Sequence, residues 1–131
     1  MTTHEVTNQP PPLTDYDPWS DDPLLHATVV REGGGWVDER ARALGPIVGS
    51  ERLQMLATQA NRFVPELRTH DRFGRRIDAV EFHPAYHELM ATAFGAGLHS
   101  LAWTANRDGA FVGRAALNYL WNQLEHGVSC P

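Results

Sequence analysis

The chain has 131 residues, with eleven Arg and no Lys, sixteen acidic residues, seven His, nine Pro and a single Cys, and a formal net charge of −5. One Cys excludes an internal disulfide framework, the acidic balance excludes phosphate neutralisation over the whole surface, and no run nears the roughly 18 uninterrupted apolar residues of a membrane span. This length suffices for one modest domain that buries roughly two-thirds of its unfolded surface without a structural metal. The opening Met1-Thr-Thr-His-Glu-Val has neither the basic start nor the apolar run of a signal peptide, so the chain is expected to be cytoplasmic.

Residues 1 to about 21 read as an extended arm, because Pro10, Pro11, Pro12 and Pro18 remove backbone donors and fix φ. Leu13, Tyr16 and Trp19 recur every three residues within it. A polar disordered tail seldom carries such residues, so the arm is expected to drape over its own domain or a partner subunit, the alternative being a tail with exposed aromatics. Residues 22–131 read as the helical body. Asp22 suits an N-cap and Pro23 the first helical position, predicting a helix over Leu24 to Glu32 that stops at Gly33. A second helix through Val37, Ala41 and Leu44 should end or kink around Gly45-Pro46. From Ser50 to Asn61, Leu53, Leu56, Ala57 and Ala60 fall on one helical face, and Val64-Pro65 ends the run.

Glu66 to Asp71, a turn at Arg72-Phe73-Gly74-Arg75, and Arg76 to Phe82 read as a hairpin or a pair of extended segments. Pro84 opens a helix to about Phe94, closed by Gly95-Ala96-Gly97, and Leu98 to Thr104 is apolar without a firm assignment. The turn Asn106-Arg107-Asp108-Gly109 introduces the longest predicted helix, Ala110 to His126, with Gly127 just past its end. On its wheel Arg114, Asn118, Asn122 and Glu125 share one narrow face. Apolar residues cover more than half the circumference, so this helix calls for neighbours on several sides.

No active site emerges from spacing. His83 and His87 have the separation of two helical metal ligands, but Pro84 makes His83 an N-cap, and neither Glu88 nor His99 supplies a diagnostic third ligand. The competing reading is one capping and one packing histidine. Gly33-Gly34-Gly35 follows a helix rather than a strand and matches no phosphate-binding pattern, so it reads as a helix stop. Arg68, Arg72, Arg75 and Arg76 form the one basic cluster, beside Phe73 but diluted by Asp71 and Asp78. A solvated hairpin with surface ion pairs is the reading set against nucleic-acid contact. Ser50, Ser100, Ser129 and Cys130 lack any nucleophile context, and Asp21, Asp22 and Glu81 form no acid–base pair. No catalytic, cofactor-binding or metal-binding residue is assigned.

Val6-Thr-Asn-Gln-Pro-Pro-Pro-Leu13, Leu24-Leu25, Arg31-Glu-Gly-Gly-Gly-Trp36, Ala60-Asn61, Pro65-Glu66-Leu67 and Asp71-Arg-Phe-Gly-Arg-Arg-Ile-Asp78 form a set of distinctive strings. Val80-Glu-Phe-His-Pro-Ala-Tyr-His87-Glu-Leu-Met90, Leu101-Ala-Trp103 and Gly109-Ala-Phe-Val112 complete it. In order along nearly the whole chain, these strings resemble the AidB-like branch of the acyl-CoA dehydrogenase superfamily. The resemblance implies a mainly α fold: the N-terminal helical domain of the acyl-CoA dehydrogenase fold, with a Pro-rich arm and a short hairpin. It further implies that the chain is a truncated or separately encoded N-terminal piece of an FAD-dependent flavoprotein linked to the response to alkylation. The flavin contacts, catalytic carboxylate and DNA-binding region of the family would lie beyond Pro131. Expected partners are the remaining domains and the neighbouring subunits of a homotetramer, with DNA engaged only through the C-terminal region. The chain alone is expected to bind no FAD and to turn nothing over. A helical interaction module without enzymatic activity is the alternative.

Overall fold

Three of the helices begin where a side chain answers a free amide of the first turn. In the computed structural model, which describes Glu5 and residues 7–124, α1 spans Pro23–Arg31, and the Asp22 carboxylate accepts from the Leu25 amide at 2.8 Å. Gly33, at φ 81°, takes the left-handed conformation that terminates it. A 3-10 turn, Gly35–Val37, leads into α2, Asp38–Val48. α3 spans Glu51–Arg62, with Ser50 Oγ accepting from Leu53 N at 3.2 Å. β1 (Glu66–His70) and β2 (Arg76–Glu81) form an antiparallel hairpin, followed by α4 (Pro84–Gly95), α5 (Leu101–Thr104) and α6 (Ala110–Trp121). The architecture is thus mainly helical with one two-stranded hairpin. None of the helices described is long and apolar enough to cross a membrane.

Two helix ends differ from the sequence expectation. α2 does not break at Gly45-Pro46 but runs on to Val48. The residue before a proline is normally pushed out of the helical region by its own Cβ, and Gly45 has none. The amide that Pro46 lacks falls in the last turn, after which the Gly49 amide resumes the pattern by donating to Gly45 O at 2.9 Å. α6 ends at Trp121 rather than His126. The Gln123 and Leu124 amides bond to the carbonyls of Leu120 and Trp121, a tightened turn that brings Leu124 into the core at 5% exposure. Glu125, His126, Gly127, Ser129 and Cys130 lie outside the described residues.

α3 packs on α4, and α6 packs on α2 and α5. Their shared core holds Leu44, Val48, Leu53, Ala57, Leu89, Leu117, Leu120 and Trp121. The unassigned apolar segment of the sequence joins it through Leu98 and Leu101. Burial on α6 is one-sided: Phe111 and Tyr119 remain exposed at 70% and 49%.

The arm meets this body at the end of α2. The Asp15 amide donates to Gly49 O at 2.7 Å, and the Asp15 carboxylate accepts from Glu51 N at 3.1 Å. Trp19 enters the core at 2% exposure, whereas Leu13 stays 69% exposed. Gly45 and Gly49 make the approach possible, because a Cβ on either would lie 2.1 Å from Asp17 Oδ1 or 1.7 Å from Tyr16 O.

Candidate functional site

The residues weighed as chemical in the sequence serve local structure at most of the described positions, while Ser100 precedes the short helix α5 without a side-chain capping bond. His83 is the N-cap of α4: its Nδ1 accepts from the Ala85 amide at 3.2 Å, and its ring stacks on Phe63 at 4.9 Å. His87, one turn on, is exposed and lies edge-on to Phe82 and Tyr86. Glu88 pairs with Arg52, and His99 packs edge-on against Phe94. Among the described residues, no group of three His, Cys, Asp or Glu side chains is placed to hold a metal.

The glycine run is a packing device. A Cβ at Gly34 would lie 2.7 Å from Val112 Cγ1, and one at Gly109 would lie 2.2 Å from Gly33 O, so the turn after α1 and the start of α6 touch backbone to backbone. Trp36 straps the same junction, donating from Nε1 to Asp108 O at 3.1 Å while Arg107 lies over its ring at 4.8 Å. Ser50 and Asp22 are caps, and Asp21 accepts from the Asp17 amide.

The basic cluster is a set of local ion pairs and ring contacts. Arg68 pairs with Glu81 at 3.1 Å and with Glu66 at 3.7 Å, and Arg76 pairs with Asp78 at 2.6 Å. Arg72 and Arg75 lie over Phe73 at 4.5 and 5.9 Å. Asp71 is taken up by the turn, accepting from the Phe73 and Arg75 amides.

The tightest polar constellation is one the sequence reading did not anticipate. Asp38, at the start of α2, accepts from Trp19 Nε1 at 3.0 Å and from Arg42 Nε at 2.7 Å, and His26 Nε2 lies 3.3 Å from it. Trp19 and His26 meet edge to face at 5.3 Å. The Arg42 hydrogen bond, then that of Trp19, hold the Asp38 carboxyl below its ordinary value, and Asp38 in turn raises Arg42. At Asp17, burial acts to raise the carboxyl, but hydrogen bonds from Ser20 and Trp19 and the charge of Arg42 outweigh it, and the net shift is downward. The i,i+4 spacing of Asp38 and Arg42 is legible in sequence. Their convergence with Trp19 from the arm is not.

This constellation fastens the arm to the start of α2. Among the described residues no polar or charged side chain is buried. A dinucleotide cofactor needs precisely placed polar groups within an enclosing cleft. The apolar depression between α2 and α4, lined by Ala43, Leu44, Ile47, Thr92 and Ala96 beside Arg40, is open and contains no such set. That depression does not fit FAD, and no catalytic step is derived through it.

Residues 8–131 match the family model described as the adaptive response protein AidB N-terminal domain. The Escherichia coli (strain K12) protein named "Putative acyl-CoA dehydrogenase AidB" is 42% identical over 130 residues, covering 98% of this chain and 24% of its own length. The crystal structure of Caenorhabditis elegans ACDH-11 in complex with C11-CoA superposes with a TM-score of 0.79 at 25% identity, covering 99% of this chain and 23% of that one. The apo-form of Bd2924 matches 87% of the chain, and 24% of its own, with a TM-score of 0.70 at 18% identity, a likeness of fold. The chain thus spans about a quarter of the length of the relatives it matches.

Proposed function

Because the chain belongs to the AidB N-terminal domain family of the acyl-CoA dehydrogenases, we propose that it serves as the N-terminal helical domain of an AidB-like, FAD-dependent protein of the adaptive response to alkylation. The observation that carries this reading is the match to AidB over 98% of the chain at 42% identity. In this reading residues 1–21 are the arm and 22–131 the helical body of the domain. The family reaction, oxidation of an acyl-CoA thioester to its α,β-unsaturated form, takes place in the cytoplasm on residues outside this chain. The partners of the domain are the remaining domains of the flavoprotein and the neighbouring subunits of a homotetramer. DNA is engaged by the C-terminal region and not by the arginines of the hairpin. All-apolar burial supports this division, since the domain contributes packing and surface rather than buried chemistry.

Gel filtration of the purified 131-residue chain with excess FAD tests the assignment. The expected result is protein without flavin absorbance and without acyl-CoA oxidation. A yellow protein that keeps its flavin through the column overturns it. Duplex DNA binding that falls steeply with salt would overturn the assignment of DNA contact to the C-terminal region.

A further inference from the structure

We propose that the trough between α2 and α4 is a binding site for a free aliphatic monocarboxylate, with Arg40 holding the carboxylate and the apolar walls taking the chain. α2 packs on α6 and α4 packs on α3, and where α2 and α4 diverge the surface sinks into an open depression of about 340 Å³. Arg40, Ala43, Leu44 and Ile47 stand at i, i+3, i+4 and i+7, so the trough follows one face of α2 for about 10 Å. That is the extended length of a chain of roughly eight carbons. Leu44 belongs to the core at 3% exposure, while Ile47 remains 45% exposed. On the facing wall Thr92 donates its hydroxyl to Glu88 O at 3.0 Å, and Gly95 has open space where a Cβ would stand. The walls are thus apolar from end to end, apart from one guanidinium.

Charge selects the head group. Arg40 is the only charged residue lining the trough, and its side chain has neither an ion pair nor a hydrogen bond to any described residue. Its Nη1 lies 3.2 Å from where a Gly97 Cβ would stand, which sets the guanidinium at the C-terminal end of α4. A helix end of that kind carries about half a negative charge, so roughly half a positive charge is left for an arriving anion. A planar guanidinium meets a carboxylate with two parallel hydrogen bonds, whereas an ammonium or an alcohol has no such match. A coenzyme thioester lacks the free carboxylate and brings several phosphate charges, for which one cation and apolar walls offer too few partners. The free acid is therefore the ligand. One cation, with contact on one side of the chain, makes a weak site with a Kd on the order of 1 mM. The inference rests on α2 and α4 and not on the assignment of flavin chemistry to other residues, and a colourless chain leaves it open to test.

An NMR titration of the isotope-labelled full chain with hexanoate, octanoate and decanoate, each below its micelle-forming concentration at neutral pH, is the experiment. The expected result is amide shifts concentrated in residues 40–47 and 92–97. Binding should tighten about two- to fourfold per added methylene until the chain reaches roughly eight carbons, the length of the trough. Octanol, octylammonium and octanoyl-coenzyme A should each bind at least about threefold more weakly than octanoate. Arg40→Gln should weaken octanoate by a similar factor, and Arg40→Lys should recover part of the loss by returning the charge. Gly95→Leu gives a second check, because its side chain enters open space in the trough and should block the ligand without disturbing the helices. Shifts absent from those two segments, octylammonium bound as tightly as octanoate, or a Kd indifferent to Arg40→Gln overturns the proposal. A thioester bound as tightly as the free acid overturns it equally.

Discussion

Residues 15–21 and the hairpin at 66–81 are alike in being non-helical, charged and aromatic-bearing, yet the first is bound into the body and the second stands away from it. Trp19 is 2% exposed and donates to Asp38, while Phe73 is 69% exposed and meets only arginines of its own turn. The difference lies in what each segment meets. The arm crosses Gly45 and Gly49, where missing Cβ atoms admit its backbone, and a carboxylate waits at the start of α2. Next to the base of the hairpin, rings stack between the chain flanking it and the start of α4. A polar, extended segment becomes part of the core when the facing helix lets its backbone close in and pairs its polar atoms.

The contrast can be broken most severely at Trp19. Trp19→Ala removes a fully buried indole at the corner that joins the arm to α2, and should cost about 3–5 kcal/mol in urea unfolding. Gly49→Ala attacks the same corner from the helix side. Its Cβ would stand 1.7 Å from Tyr16 O, so the arm must lift, at a cost of about 1–3 kcal/mol and with faster exchange of the Asp15 amide. Asp22→Ala, which removes the cap of α1, should cost about 1 kcal/mol by the same unfolding measurement.

A pH series probes the fastening carboxylate. Asp38 has a folded-state pKa below the ordinary 3.8, so its contribution is fully present above that value and is lost as pH falls through the lower folded value. Unfolding free energy should therefore drop on the acid side of about pH 4. Asp38→Asn should make that drop shallower without abolishing it, because Asp17 is shifted in the same direction. An acid limb identical in both proteins would remove Asp38 from the account. The smallest effect belongs to the hairpin: Leu67→Ser should change stability by no more than about 0.5 kcal/mol, since the side chain is already exposed. A larger loss for Leu67→Ser than for Asp22→Ala would reverse the contrast between the two regions.

Local chemistry made much of the fold readable in advance. Asp22-Pro23, Ser50 and His83-Pro84 mark helix starts because each answers unsatisfied amides within its own first turn, and Gly33 marks a stop because it takes a positive φ. The hairpin was legible from its turn as one of two readings, and its solvation from its charges, although not the extra residue in β2 near Asp78, which adopts φ 44°. The end of α6 was misjudged because apolar periodicity continues to Leu124, while the backbone there tightens to bury that leucine. The capping reading of His83 held because the proline after it fixes its position at the helix start.

The sequence by itself determined that this is a mainly helical chain of the AidB N-terminal type, since caps, helix faces and collinear strings are properties of residues close together along the chain. Only the tertiary structure decided which aromatic of the arm is buried, which glycines are contact points and which carboxylate fastens arm to helix. Those choices join Trp19 to Asp38 and Gly33 to Gly109. A contact between residues distant in the chain depends on how whole elements sit against one another, and no local pattern encodes that placement.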